Sequence, residues 1–108
     1  MVDVAVVPGS YVNQQRIDLG LQKASAALSP DVVRIRYTLG EDWSGEDAVF
    51  FRVVLKDSAS ERSQLRTVAR RVEETVVREV QPRGMGLEAY FNFRSESEQT
   101  KLREEAWA

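Results

Sequence analysis

The 108-residue chain contains neither cysteine nor histidine. The missing cysteines exclude disulfides and thiolate chemistry, and the missing histidines remove the most common general base and transition-metal ligand. Any catalysis would rest on carboxylates or on lysine, tyrosine, serine or arginine side chains. We therefore expect a protein that is not an enzyme and that holds no cofactor or metal.

The chain also lacks an excess of positive charge and a long apolar run. Its formal net charge is −2, so no general basic field attracts nucleic acid or anionic membranes. No apolar run approaches the length of a membrane span, and the start of the chain has no basic region of a signal peptide. These features predict a cytoplasmic protein with no membrane association.

Strict alternation of side chains marks two strands within Val33–Leu55. Because successive side chains of a strand point to opposite faces, each stretch has one apolar face. The apolar residues are Val33, Ile35, Tyr37 and Leu39 in the first stretch and Val49, Phe51, Val53 and Leu55 in the second. An acidic loop joins the two stretches, so this part of the sequence predicts a β-hairpin.

Helical spacing of apolar residues predicts two helices. The first covers Ser10–Leu28 and contains Gly20, for which a close packing contact is the expected reason. The second follows Ser58–Glu61, a stretch with the spacing of a capping box. Its apolar face carries Leu65, Val68, Ala69, Val72, Val76 and Val80. Alternation predicts a third strand over Leu87–Arg94 and favours a short edge strand or an ordered arm over residues 2–7.

The predicted order of elements is (β)αββαβ(α), which defines an α+β fold. The connection through the second helix should be right-handed and make the second and third long strands parallel. We expect the third strand to lie beside the first, in a two-layer sandwich with two helices on one face of a three-stranded mixed sheet. A single domain would span residues 1–95, and the charged residues 96–108 would form a final helix or a mobile tail.

The sheet face away from the helices combines basic and aromatic side chains. The predicted interaction residues are Phe50, Val54, Tyr90, Arg34, Arg36, Arg52 and Arg94, together with Trp43 of the hairpin loop. Apolar Phe50 and Val54 favour a face covered by a partner protein or by a second copy of the chain, as in a dimer. Two alternatives remain: an ordinary solvated face, or arginines that hold the phosphates of single-stranded RNA while aromatic rings stack on its bases.

The hairpin loop places four carboxylates around Trp43, namely Glu41, Asp42, Glu46 and Asp47. Such oxygens suit Mg²⁺ or Ca²⁺, but their spacing does not match an EF-hand, so no metal ligand is assigned and a metal-dependent hydrolase is a minor alternative. Two other interpretations are open. The loop is a soluble turn whose tryptophan packs on the end of the core, or it is a binding anchor with an acidic rim.

Two segments, GEDWSGEDAVFFRV at residues 40–53 and AYFNFRS at residues 89–95, resemble a group of small bacterial proteins. These segments cover the hairpin and the last strand. Such proteins are encoded in pairs with a second small protein, in arrangements like those of toxin–antitoxin or defence modules. The resemblance implies a co-encoded protein partner, as for an antitoxin-like or regulatory subunit, and it implies no catalytic residue.

Overall fold

The computed structural model describes residues 7–108, with side chains from Asn13 onward. This part of the chain forms α1 (Val7–Leu28), β1 (Val32–Glu41), β2 (Asp47–Leu55), α2 (Arg62–Val80), β3 (Glu88–Ser95) and α3 (Glu96–Leu102). Short 3₁₀ turns occur at Asp57–Ser60, Pro82–Met85 and Glu105–Trp107. The predicted α+β fold is confirmed.

Within the described residues the first helix extends from Val7, so it includes residues that precede the predicted start at Ser10. The strand or arm predicted over residues 2–7 lies outside the described residues apart from Val7.

The sheet has the order β1-β2-β3. The hairpin pairs β1 with β2 antiparallel, and the crossover through α2 makes β3 parallel to β2, as predicted. The prediction that the third strand lies beside the first was wrong, because β2 is the central strand. Its Val53 side chain is buried toward the helices and its Val54 side chain is buried on the opposite face. A strand that is buried on both faces belongs in the middle of a sheet.

One core lies between the sheet and the two long helices. The most deeply buried side chains in it are Ile17, Ala24, Leu28, Val49, Phe51, Val53, Leu55, Val72 and Val76. Two predicted core residues are exposed instead. A β-bulge between Val32 and Arg34 turns Val32 toward the core and leaves Val33 in solvent. Leu65 lies in the first turn of α2, and the buried stripe of that helix begins one turn later.

The two long helices approach closely at Gly20. A Cβ atom at this position would lie 2.7 Å from the backbone oxygen of Glu79 and 2.9 Å from the Cα atom of Val80. Because these neighbours belong to the backbone of α2, no side-chain rotation could make room for the extra atom. The predicted packing contact at Gly20 is confirmed, and it sets the distance between the helices.

The capping box predicted at Ser58–Glu61 does not form, because Ser58 lies within the 3₁₀ turn Asp57–Ser60 and α2 starts only at Arg62, with Glu61 at its N-cap. A capping box forms instead at the start of α3. The Oγ atom of Ser95 accepts from the backbone N–H of Glu98, and the Glu98 carboxylate accepts from the backbone N–H of Ser95. The C-terminal residues thus contain a helix over Glu96–Leu102 and a 3₁₀ turn over Glu105–Trp107. Within the described residues, no helix is both long enough and apolar enough to cross a membrane.

Candidate functional site

The outer face of the sheet, which is the face away from α1 and α2, is arranged in rows across the three strands. The register gives a first row of Arg34, Val54 and Arg94, a second of Arg36, Arg52 and Asn92, and a third of Thr38, Phe50 and Tyr90. The predicted interaction residues of the three strands thus lie together on one surface. Trp43 extends from the hairpin loop beside the third row, where its ring meets that of Tyr90.

The first row is covered by the C-terminal segment, residues 103–108, which follows α3. Arg34 donates from Nε to the backbone oxygen of Trp107 at 3.0 Å. Arg52 donates from Nε to the backbone oxygen of Ala106 at 2.6 Å. Two strands of the sheet therefore hold the backbone of this segment through charge-assisted hydrogen bonds.

Arg94 of β3 holds the same segment through its side chains. Its guanidinium lies 4.3 Å from the centre of the Trp107 ring, which is a cation–π geometry. It also donates to Oε1 of Gln99 at 3.1 Å and forms an ion pair with Glu104. The indole of Trp107 is consequently buried, with 8% of its surface exposed.

The C-terminal segment changes the interpretation of Val54 in the first row. The sequence predicted that Val54 needs a partner or a second copy of the chain to shield it. Val54 is only 1% exposed, because the chain itself shields it. Arg34 and Arg94 lie in the same row and donate to the same segment. The part of the outer face that stays open is the third row together with Arg36 and Asn92 of the second.

An aromatic cluster occupies the third row and its margin. Phe50 and Tyr90 stack with ring centroids 5.4 Å apart, and Trp43 meets Tyr90 at 5.3 Å with the ring planes tilted by 57°. Trp43 is nevertheless 84% exposed. It does not pack on the end of the core, so of the two interpretations of this tryptophan the structure excludes the core cap.

Asp42 holds the loop and the cluster together. Its Oδ1 atom accepts from the backbone N–H groups of Ser44 and Glu46 and from the Ser44 hydroxyl. Its Oδ2 atom accepts from the Tyr90 hydroxyl at 2.7 Å. Both oxygens are therefore in use, and the loop stands in a fixed position against β3.

These bonds shift two pKa values in opposite directions. Hydrogen bonds from Ser44 and from Tyr90 lower the pKa of Asp42 to about 2. The bond to Asp42 raises the pKa of Tyr90 to about 12, and desolvation and the negative charges of Asp42, Glu88 and Glu46 act in the same direction. The surroundings of the aromatic cluster are thus electrically negative.

Replacing Asp42 by asparagine is expected to return the pKa of Tyr90 toward its ordinary value of 10.0. In the unmodified protein, the stabilisation from Asp42 is present above pH 3.8 and is lost as the pH falls to about 2. The stabilisation from Tyr90 is present below pH 10.0 and is lost as the pH rises to about 12. NMR titration of the tyrosine rings gives the pKa of Tyr90 in the unmodified protein and in Asp42→Asn.

Tyr37 is the internal control for this titration. Its pKa is also raised to about 12, first by burial and then by its hydrogen bond to Asp18. It should titrate identically in the unmodified protein and in Asp42→Asn. A Tyr90 pKa that does not change in the variant would contradict the assignment of the shift to Asp42.

The carboxylates of the loop do not come together as a group of possible metal ligands in the described residues. No group of three or more metal-ligating side chains occurs in the part of the chain that the structure describes. The charges of Asp42, Glu46 and Glu88 act on Tyr90 and form a negatively charged rim beside the cluster. Glu41 and Asp47 are exposed, and the strand register places them on the other side of the hairpin. Between Tyr37 and Phe51 the sequence has no lysine or arginine to offset them.

Sequence reasoning missed two parts of this site. One is the bond between Asp42 and Tyr90, which joins residues 48 positions apart. The other is the docking of the C-terminal segment over the first row, which two features of the sequence indicate. Trp107 is an isolated aromatic residue in a charged stretch, and Ser95 to Glu98 has the spacing of a capping box. Together they indicate an ordered terminal segment that docks through its tryptophan.

Comparison with known proteins gives no match, whether to a family model, to a curated protein or to a solved structure.

Proposed function

We propose that this protein is a non-enzymatic protein-interaction module and that its recognition surface is the aromatic cluster of Trp43, Phe50 and Tyr90. The observation that carries the proposal is that Trp43 is exposed to solvent in a loop of fixed conformation. Its indole is 84% exposed, although its loop is fixed by the hydrogen bonds of Asp42. A large ring that is held in solvent loses little conformational freedom on binding, and tryptophan is enriched among residues that dominate binding energy.

The charges near the cluster favour a protein partner over single-stranded RNA. Three of the four arginines of the outer face, Arg34, Arg52 and Arg94, already donate hydrogen bonds to the C-terminal segment. The rim next to the stacked rings is negative, and phosphates would be repelled there. A base could stack on Trp43, but of the four outer-face arginines only Arg36 is not held by the C-terminal segment and could bind its phosphates.

The resemblance of the loop and the last strand to co-encoded bacterial proteins supports the same conclusion. Under this proposal the partner is the product of the neighbouring gene, and the protein acts as its antitoxin-like or regulatory subunit. A partner of this kind would bury the aromatic cluster and leave the C-terminal segment in place.

Trp43→Ala is expected to weaken binding of the co-expressed neighbouring gene product by about 30-fold or more, which corresponds to the loss of one hot-spot residue. The stability of the free protein should change little, because the indole is exposed. Isothermal titration calorimetry with the purified pair gives the affinity.

Leu19→Ala is the matched control, since Leu19 is an exposed apolar residue of α1 on the opposite layer. The affinity of Leu19→Ala for the neighbouring gene product should equal that of the unmodified protein. Equal affinities for the unmodified protein and Trp43→Ala would contradict the proposal. So would salt-sensitive binding of a mixed-sequence single-stranded RNA that Trp43→Ala abolishes.

A further inference from the structure

The indole of Trp43 has an open face next to negative charge. Its centroid lies 5.3 Å from that of Tyr90, and the two ring planes are inclined by 57°, so the rings do not lie flat against each other. Since 84% of the surface of Trp43 is exposed, at least one face of the indole meets solvent. The face of an indole is the negative part of its quadrupole and attracts cations.

The carboxylates beside this ring are held in place but not neutralised. Asp42 accepts hydrogen bonds from the backbone N–H groups of Ser44 and Glu46 and from the hydroxyls of Ser44 and Tyr90, all of which are neutral donors. These bonds keep the pKa of Asp42 at about 2, so the group is ionised at neutral pH. Among the described residues, neither Asp42 nor Glu46 takes part in an ion pair. Their charge therefore remains available to a cation from outside.

The nearest cations of the protein are engaged or distant. Arg52 donates to the C-terminal segment and to the neighbouring strand β1. Arg83 lies 3.9 Å from Glu88, and both side chains are exposed, so this contact offsets little of the charge of Glu88. Arg36 belongs to β1, on the other side of the sheet from β3 and one row away from the aromatic cluster. The charge beside Trp43 is thus left without a cation of the chain itself.

The other tryptophan of the chain shows what is missing. The guanidinium of Arg94 lies 4.3 Å from the centre of the Trp107 ring and pairs with the carboxylate of Glu104. An indole, a guanidinium and a carboxylate thus occur together at the docked C-terminal segment. At Trp43 the structure provides an indole and carboxylates, and the guanidinium is absent from the described residues.

We propose that the partner protein places an arginine side chain on the open face of Trp43, with its guanidinium beside Asp42 and Glu46. This inference rests on the proposed function, because it names the chemistry that the aromatic cluster recognises on its partner. Arginine fits better than lysine, since a planar guanidinium stacks flat on an indole while its N–H groups point outward in the plane toward acceptors. The charge complementarity also gives the cluster a preference among exposed side chains.

A pair of peptides tests the inference without the partner protein. The probe is acetyl-Gly-Arg-Gly-amide, and the matched control carries citrulline, which keeps the shape of arginine but is uncharged. NMR titration should show that the arginine peptide shifts the indole N–H signal of Trp43 and binds about five-fold or more tightly than the citrulline peptide. The signal of Trp107 is the internal control, because that ring is buried against Arg94. Equal affinities for the two peptides, or no shift of Trp43 by the arginine peptide, would overturn the inference.

Glu46→Gln tests the contribution of the carboxylates. Only backbone groups of Glu46 bond to Asp42, so the substitution removes a charge and leaves the loop in place. The variant should bind the arginine peptide about two- to three-fold more weakly, as expected for an exposed ion pair, and the citrulline peptide equally well. Glu74→Gln, at an exposed position of α2, is the control and should bind both peptides like the unmodified protein. Unchanged binding of the arginine peptide by Glu46→Gln would contradict the inference.

Calorimetry with the neighbouring gene product separates this inference from the proposed function. Both Trp43→Ala and Glu46→Gln should weaken that complex, whereas Glu74→Gln should not. If only Trp43→Ala weakens it, the proposed function stands and the arginine inference is overturned. If neither variant weakens it although the arginine peptide binds at Trp43, the proposed function is overturned and the cation site stands.

Discussion

Trp107→Ala is expected to lower the free energy of unfolding by about 3 kcal/mol, which is at the lower end of the range for truncating a buried tryptophan. The indole is buried and packs against the Arg94 guanidinium. Its removal would also expose Val54 and release the carbonyl groups that Arg34 and Arg52 bind. Urea unfolding followed by circular dichroism measures the change.

Trp43→Ala is the matched control, because the chain has two tryptophans and only one of them is buried. The loss of its contact with Tyr90 should cost at most about 1 kcal/mol. The two variants should therefore separate the functions of the rings: Trp107 stabilises the fold, and Trp43 binds the proposed partner. Equal stability of Trp107→Ala and the unmodified protein would contradict the described docking of the C-terminal segment.

Gly20→Ala is expected to destabilise the protein by about 2 kcal/mol, the typical cost of forcing an extra carbon into a packed contact. Alanine forms helices better than glycine by about 1 kcal/mol, so an exposed helical site would show the opposite sign. The new Cβ atom would lie 2.7 Å from the backbone oxygen of Glu79. Thermal or urea unfolding gives both the sign and the size of the effect.

Gly84→Ala is the control for the glycine experiment. A Cβ atom at Gly84 would meet only the Arg16 side chain, at 3.8 Å, and no positive φ holds this glycine in the left-handed region. Its stability should be unchanged or slightly raised, because alanine restricts the unfolded chain. A stabilised Gly20→Ala variant would show that α1 and α2 are further apart than described.

The three long strands and the second helix were predicted from the sequence because their signals are local. Alternation over Val49–Leu55 and helical spacing over Val68–Val80 each fix which side chains face the core, whatever lies around them. The capping box at Ser95 is equally local, yet the similar spacing at Ser58 does not form one. Such a short motif forms a cap only where the helix begins directly after its serine, and α2 begins at Arg62.

The strand order and the composition of the open surface could not be predicted in this way. The central position of β2 depends on the residues that shield Val54 on the outer face. These residues belong to the C-terminal segment, at the other end of the chain. The bond from Arg34 to Trp107 joins residues 73 positions apart, and the bond from Tyr90 to Asp42 joins residues 48 apart. No local pattern encodes such pairs, because each partner's surroundings are made by the folded chain.

The sequence by itself determined a two-faced sheet with helices on one side, since side-chain periodicity and the handedness of a crossover suffice for that. Only the tertiary structure decided which part of the second face is available. The C-terminal segment occupies the row of Arg34, Val54 and Arg94, and Asp42 fixes Trp43 above Tyr90. The physical reason is that a buried charged or polar side chain requires a partner, and the geometry of the whole fold selects it.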